Sequence, residues 1–220
     1  MFHSPFGITL MLSFVTASIL TLLGAPIAYG IAFSNRLGSL AGEILVSLTL
    51  VFPPAVLGYF LMVCFSPDSV FGHLFERVFG HPLAFSFEGL VVASIIYSLP
   101  FAVQPLTQSF RSVPSSHLEM ARILGAGRLT TFFRVLLPIS LPGLLTGWVL
   151  SFAHTVGEFG AVLMVGGNIP GETRTLSIEA YEDLLSLDFA NARKAVFALL
   201  LLSLVSLLGI QLLNRWRRSG

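Results

Sequence analysis

The sequence predicts an all-α membrane protein with about five transmembrane helices, and three observations predict this class. The 220 residues are 55% hydrophobic and 10% charged, whereas soluble domains carry about 25% charged residues. Mean hydropathy is high, at +0.86. The charges are also clumped, so five stretches contain no Asp, Glu, Lys or Arg: 1–35, 44–67, 89–110, 135–157 and 195–214. Each is long enough for the roughly 20 residues of a membrane-spanning helix, which excludes a cytosolic or secreted enzyme.

We predict a single membrane domain, 1–220, without a linker that divides it. The predicted spans are 8–33, 44–65, 89–110, 135–166 and 195–213. Pro26 predicts a kink in the first span, near Leu22 and Leu23, because a proline removes a helical hydrogen bond. Pro53 and Pro54 predict a stronger break in the second span, where two backbone N–H groups are lost.

The orientation follows from the Lys and Arg residues of the loops, which are enriched on the cytoplasmic side of a membrane protein. One face receives eight basic residues: Arg36, Arg111, Arg122, Arg128, Arg134, Arg215, Arg217 and Arg218. The other face receives four: Arg77, Arg174, Arg193 and Lys194. We therefore predict an N-terminus outside the cell, a cytoplasmic C-terminus and a cytoplasmic loop at 111–134.

The 111–134 loop contains the pattern of a short surface helix. Ser116 is a candidate N-cap, because Glu119 then occupies the third helical position of a capping box. Gly125 and Gly127 are expected to end the helix. Such a helix, flanked by arginines and held between spans three and four, would lie at the inner membrane surface, where anionic lipid attracts it.

The spacing within 119–138 resembles the E-A-A-x3-G-x9-I-x-L-P signature of ABC-importer permeases. The matching positions are Glu119, Ala121, Gly125, Leu137 and Pro138, while Met120 and Val135 are mild departures. The resemblance implies that this loop is a coupling helix, seated in a cleft of a separate cytoplasmic ATPase. The coupling residues that it implies are Glu119, Met120, Ala121, Leu124, Gly125 and Ala126, and the further motif residues are Val135, Leu137 and Pro138.

Nucleotide chemistry is expected on a partner chain. The single lysine, Lys194, is not part of a G-x4-G-K-[S/T] motif, so this chain lacks the P-loop that cradles ATP phosphates. We therefore expect no cofactor, metal or catalytic residue in this chain, and ATP-Mg on the ATPase subunit. A membrane-embedded enzyme is the remote alternative, with His154 and Glu158 as its only acid–base pair.

Residues 157–181 closely resemble the molybdate branch of these permeases, in which G-E-F-G and N-I-P-G-E-T-R-T recur. The resemblance implies a permease subunit that moves molybdate into the cytoplasm by alternating access, and it leaves tungstate open. Sulfate or thiosulfate is the alternative cargo, because those relatives share the G-E-[F/Y]-G segment.

Several residues are candidates for the translocation pathway or its gate: Pro53, Pro54, His154, Gly157, Glu158 and Gly160. His154 and Glu158 are four residues apart and would share one helix face. His154 departs from an Arg in relatives, so a paired charge that holds span four and direct contact with the substrate both stay open. Arg174 is a candidate for docking an external binding protein, with plain surface charge as the alternative.

The resemblance also implies the assembly. The expected partners are a second copy of this chain, ATPase subunits, a periplasmic molybdate-binding protein and membrane lipid, without nucleic acid. The expected location is the bacterial inner membrane, which the chain would cross several times. A passive channel is a further alternative, and dependence on ATP distinguishes it from an importer.

Overall fold

The computed structural model describes residues 4–219, which contain helices and no β-strand. In chain order the helices are α1 (Pro5–Phe33), α2 (Arg36–Val51), α3 (Pro54–Phe65), α4 (Val70–Phe79), α5 (Phe87–Arg111), α6 (Ser115–Ile123), α7 (Arg128–Thr131), α8 (Leu137–Ile139), α9 (Leu141–Val156), α10 (Gly160–Gly166), α11 (Leu176–Leu185) and α12 (Phe189–Ser219). A π-helical turn, Phe132–Leu136, joins α7 to α8.

The all-α membrane class is confirmed. Helices α1, α5 and α12 are each long and apolar enough to cross a membrane, α12 over Phe189–Gly209. Two further segments qualify only as bent pairs, α2 with α3 and Arg128–Ile139 with α9. The part of the chain that the structure describes therefore offers three to five candidate spans. The sides on which the loops lie stay a prediction, and the side chains of Arg215, Arg217 and Arg218 lie outside the described residues.

The second span, predicted at 44–65 with a break at its two prolines, consists of two helices, α2 and α3. Helix α2 already begins at Arg36, because the Asn35 side chain accepts the Gly38 N–H at 2.8 Å and caps the helix. It ends before Pro53 and Pro54, and α3 continues at an angle of 103°. The predicted break at the prolines is thus confirmed. The predicted 34–43 loop is wrong, since only two residues separate α1 from α2.

The fourth span is also divided, so the prediction of one segment over 135–166 is wrong. Pro138 has no N–H to offer the carbonyl four residues back, and Leu137 bonds instead to the carbonyl of Phe132, five residues back. The chain then bends by 71° at Ser140. Helix α9 ends at Val156, and α10 is a separate short helix.

The core is a packed group of α1, α5 and α9. Small residues let these helices approach closely, as is common between membrane helices. A Cβ atom placed on Gly147 of α9 would stand 2.8 Å from the carbonyl oxygen of Ala102 on α5. Pro26 does not end α1, which continues to Phe33. This group is the frame from which the coupling loop projects at one end and the 157–175 segment at the other.

Candidate functional site

Helix α6 lies within the predicted coupling loop, 111–134, but it starts two residues earlier than predicted. Its N-cap is Pro114, without a side-chain cap, so the predicted capping box of Ser116 and Glu119 is wrong. The predicted end at Gly125 is confirmed. Gly125 adopts φ +79°, its N–H bonds to the Arg122 carbonyl, and the next N–H bonds to the Ala121 carbonyl, both at 2.9 Å. This is a Schellman ending, which favours glycine because a Cβ is strained at positive φ.

The coupling loop presents large apolar side chains to the outside of the chain. Met120 is 63% exposed and Leu124 is 80% exposed. Ile123 and Leu129, which the sequence analysis did not select, are 84% and 75% exposed. Contiguous exposed apolar groups of this kind mark interaction surfaces. In the sequence, Ile123 and Leu129 could have been recognised only as apolar residues in excess of those that a short helix can bury.

The other predicted coupling residues divide by burial. Glu119 and Gly125 are exposed, Ala126 is half-buried and Ala121 is 7% exposed. Ala121 thus faces the chain itself, so it seats α6 on the protein rather than presenting a docking atom. The motif residues Val135, Leu137 and Pro138 lie C-terminal to the loop, at the π-helical turn and α8. Single π-turns recur at functional sites.

A polar cluster lies between α5 and α9, and it includes one predicted pathway residue. The Ser98 hydroxyl is 2.8 Å from Nδ1 of His154 and 3.1 Å from the Thr155 hydroxyl. The His154 ring stacks on Phe101, with centroids 4.1 Å apart, and Tyr97 lies at 5.0 Å. The hydroxyl and the two aromatic rings hold the imidazole in one orientation.

Glu158 is separated from this histidine. The turn at Gly157 ends α9, so Glu158 leaves the helix face on which a His–Glu pair was predicted. The only ion pair among the described residues joins Arg111 to Glu43, so His154 and Glu158 do not pair with each other within the chain. Glu158 is 5% exposed, and the buried Ser94 hydroxyl lies near its carboxylate. Its backbone carbonyl accepts a bond from the Ser177 hydroxyl at 2.6 Å.

The tertiary structure brings two of the predicted gate residues together. A Cβ on Gly160 would stand 2.8 Å from Cβ of Pro54, which begins α3. One turn further along α3, a Cβ on Gly58 would stand 2.9 Å from Cα of Ala161. Helices α3 and α10 therefore touch through glycines, directly beside the break at Pro53. The break between α2 and α3 therefore lies against the start of α10, three residues after the turn at Gly157.

Polar side chains that the sequence analysis missed line a cavity of about 390 Å³ between α2, α5 and α9. The Gln104 amide donates to the Ser47 hydroxyl at 3.1 Å. Thr107 is 3% exposed, and its hydroxyl has no partner within the described residues. Gln108 is exposed at the same wall. The available signal was two glutamines four residues apart in an otherwise apolar span.

Arg174 belongs to a loop held by its own hydrogen bonds. Its Nε donates to Oδ1 of Asn168 at 2.6 Å. The buried Thr173 hydroxyl donates to the Gly166 carbonyl at 2.6 Å and accepts the Ile169 N–H at 3.1 Å. Arg174, the predicted docking residue, therefore uses its Nε–H group for a hydrogen bond within the loop.

Glu179, on α11, lies near the charged side chains of Asp183 and Arg174, at the same end of the molecule. Burial and the nearby Asp183 raise the pKa of Glu179, and Arg174 lowers it in part.

Within residues 4–219, no three His, Cys, Asp or Glu side chains group as metal ligands do.

Residues 20–219 match the family described as "Binding-protein-dependent transport system inner membrane component". The chain is 41% identical to the molybdenum transport system permease protein ModB of Azotobacter vinelandii, over 96% of this chain and 93% of that protein. It is 30% identical to a probable sulfate transport system permease protein, cysT, of Helicosporidium sp. subsp. Simulium jonesii, over 96% and 78%.

Among solved structures, a bacterial alginate ABC transporter in complex with alginate pentasaccharide-bound periplasmic protein matches with a TM-score of 0.69 and 20% identity. That match covers 97% of this chain and 77% of the other. At this identity it shows the fold alone. The chain belongs to the family of binding-protein-dependent transport system inner membrane components, which makes it a multi-pass transport subunit of the bacterial inner membrane and not an enzyme.

Proposed function

We propose that the chain is the permease subunit of an ATP-driven molybdate importer. Its identity to the molybdenum permease is 41%, against 30% to the sulfate permease, which supports molybdate over sulfate. The N-I-P-G-E-T-R-T segment, 168–175, supports the same branch. Tungstate, which has the same tetrahedral geometry and charge, is expected to use the same path.

The observation that carries the proposal is the exposed apolar surface of the coupling loop. We define this surface as Met120, Ile123, Leu124 and Leu129, each at least 63% exposed. A membrane protein places large apolar groups outside its spans only where a protein or lipid covers them. A cytoplasmic ATPase cleft is the cover that fits a short, rigid helix.

The charged and small residues of the loop complete this docking element. Glu119 is exposed and offers a carboxylate that accepts charge-assisted hydrogen bonds from the ATPase. The Gly125 ending gives the loop one fixed shape, so closure of the ATPase moves α6 as a rigid lever. ATP-Mg is held by the ATPase chain, and this chain transmits the motion to α8 and α9 through the π-helical turn.

The conduit lies between two copies of the chain. Gln104 and Gln108 are exposed on the isolated chain, and amides within a span are costly against lipid tails. A second copy or a water-filled path would cover this wall instead. Pro54 and Gly160 are then hinge positions beside the path, because they touch where α3 contacts α10, and Pro53 and Gly157 precede them in the chain. His154 presents its ring beside the path, and Glu158 supports the turn without facing the anion.

The opposite end of the chain receives the cargo from a periplasmic molybdate-binding protein. Arg174 supports this role by fixing the 168–175 loop through Asn168, while the half-exposed remainder of its side chain adds positive charge. Selection of the anion belongs to the binding protein, so the permease needs weak contacts only.

The test is uptake of labelled molybdate in cells that lack their own transporter. These cells carry the chain with its ATPase and binding protein, and excess unlabelled sulfate or tungstate is added. We expect tungstate to block uptake and sulfate to leave it unchanged. Equal competition by sulfate would move the cargo to the sulfate branch, and an assembled complex that takes up no molybdate would contradict the proposal.

A further inference from the structure

A large groove, which we call the α1 groove, lies between α1 and the coupling loop. Its volume is about 990 Å³, at the upper end of the roughly 300–1,000 Å³ of small-molecule sites. One wall is the C-terminal half of α1, from Thr21 to Ser34, and the other is formed by α6, α7 and the π-helical turn. Of the exposed apolar surface defined above, only Leu129 also lines this groove, and the proposed function gives the rest of the groove no role.

The walls of the α1 groove are apolar where they belong to the membrane-spanning helix. Leu22 is 75% exposed and Phe33 is 44% exposed, both on α1. Phe133, on the facing π-helical turn, is 60% exposed. Pro26 and Gly30 lie between the two α1 residues on the same wall. Such a wall fits a hydrocarbon chain.

Two cations close the groove on the side of the coupling loop. Arg122, in α6, and Arg128, at the start of α7, both line it. None of the described residues that line the groove is acidic. The ion pair found within residues 4–219 joins Arg111 to Glu43, so both guanidinium groups of the groove lack a carboxylate partner there. The groove thus combines two unpaired positive charges with a hydrocarbon-lined wall.

We propose that an anionic phospholipid binds in the α1 groove, with its phosphate between Arg122 and Arg128 and one acyl chain along α1. Basic pockets beside membrane helices bind anionic headgroups because each cation near the surface adds electrostatic attraction. The lipid bridges α1 and the coupling loop, so it holds the loop against the frame. A zwitterionic lipid fits the wall equally well but gains less from the arginines.

The experiment is native mass spectrometry of the purified full-length chain, titrated with phosphatidylglycerol or with phosphatidylcholine of the same acyl chains. We expect stronger binding of phosphatidylglycerol. Replacing one arginine, by Arg122→Gln or Arg128→Gln, should weaken it about fivefold, and replacing both about 30-fold. Arg134→Gln is the matched control, because Arg134 is exposed and does not line the groove. Equal affinities in the double variant and the wild type would overturn the proposal.

A second pair of variants tests the wall. A Cβ on Gly30 meets no atom within 4 Å, so Gly30→Phe fills the groove without a clash and should weaken binding of both lipids. Gly209→Phe, at an equally open glycine on α12, is the control and should leave binding unchanged. Normal phosphatidylglycerol binding by Gly30→Phe would contradict the assignment of the acyl chain.

The last arm separates a lipid from a free anion and from another protein. Excess inorganic phosphate should leave bound phosphatidylglycerol in place, and displacement by phosphate would show an anion site without a lipid. If a second copy covers the groove, dimeric chain would bind phosphatidylglycerol no better than phosphatidylcholine, which would also overturn the proposal.

Discussion

The two ends of the α1–α5–α9 frame carry the two sequence motifs, and they use their side chains in opposite ways. At the coupling end, Met120 and Leu124 point outward, and Leu124 is 80% exposed. At the other end, the 168–175 segment buries the side chains of Thr173 and Thr175. A motif can therefore mark a surface that needs a partner or a loop that stabilises itself. The deciding property is whether the side chains of the motif find their contacts and hydrogen-bond partners within the chain or stay exposed.

Because of this difference, we expect mutations at the two ends to affect different properties of the protein. Changes at the coupling end should impair assembly with the ATPase and leave the fold intact. Changes at the 168–175 end should lower stability first and reduce transport only as a consequence. Four experiments test that division.

The largest effect is expected from Leu124→Asp. A charge at the centre of the exposed apolar surface opposes burial against the ATPase and should weaken the complex about 30-fold or more, with loss of ATP-dependent uptake. Binding of the purified ATPase measures it. Leu187→Asn is the control, because Leu187 is 72% exposed but lies beyond α11. An unchanged complex with Leu124→Asp would break the comparison.

Thr173→Val should have the next largest effect, and on stability. Valine keeps the shape but leaves the Ile169 N–H and the Gly166 carbonyl without the hydroxyl, which costs about 2 kcal/mol of unfolding free energy. Thermal unfolding in detergent measures it. Thr146→Val is the control, since its hydroxyl bonds only to the Pro142 carbonyl of its own helix. A stable Thr173→Val protein that transports poorly would instead give Thr173 a direct role.

A smaller effect is expected at the ion pair of the coupling end. Arg111 contacts Glu43 at 2.5 Å, and the side chains are 32% and 44% exposed. Exposed pairs contribute about 0–1 kcal/mol, so Glu43→Gln should lower the unfolding free energy by less than about 1 kcal/mol, and salt should remove the difference. Thermal unfolding at low and high salt checks this. A larger, salt-independent loss would show that the pair is buried in the assembled protein.

The smallest effect concerns pH at the opposite end. Burial and Asp183 raise the pKa of Glu179 in the folded chain, so the folded state holds its proton more tightly than the unfolded state. Stability then falls as pH rises from the unfolded pKa to the raised one. Glu179→Gln should flatten this dependence and slightly raise stability at neutral pH. Unfolding temperatures measured from pH 4 to pH 8 test it, and a wild type that gains stability over that range would contradict the sign.

Local patterns were sufficient for some elements. Long uncharged stretches predict α1, α5 and α12, because each span needs about 20 apolar residues whatever packs against it. Gly125 ends α6 as predicted, since only glycine adopts φ +79° without strain. The break at Pro53 and Pro54 was equally predictable, because a missing N–H is a property of the residue itself.

Other features depend on contacts between distant parts of the chain. His154 and Glu158 suit an ion pair by spacing, yet Ser98, 56 residues away, binds the histidine and the turn at Gly157 removes the glutamate. The contact of Gly160 with Pro54 follows from packing of α10 on α3, which no local pattern encodes. Ser47 and Gln104 were missed for the same reason, as their pairing joins two helices.

The sequence by itself determined the all-α membrane class, the family and the residues of both motifs, because hydropathy, proline and glycine act locally. The tertiary structure alone decided the 103° and 71° bends, the meeting of Pro54 with Gly160 and the α1 groove. It also decided which motif residues face outward, since burial and hydrogen bonding depend on helices that are distant in sequence. Met120, Ile123 and Leu124 stay exposed on the coupling loop, whereas Thr173 of the 168–175 loop is buried and hydrogen-bonded within its own chain.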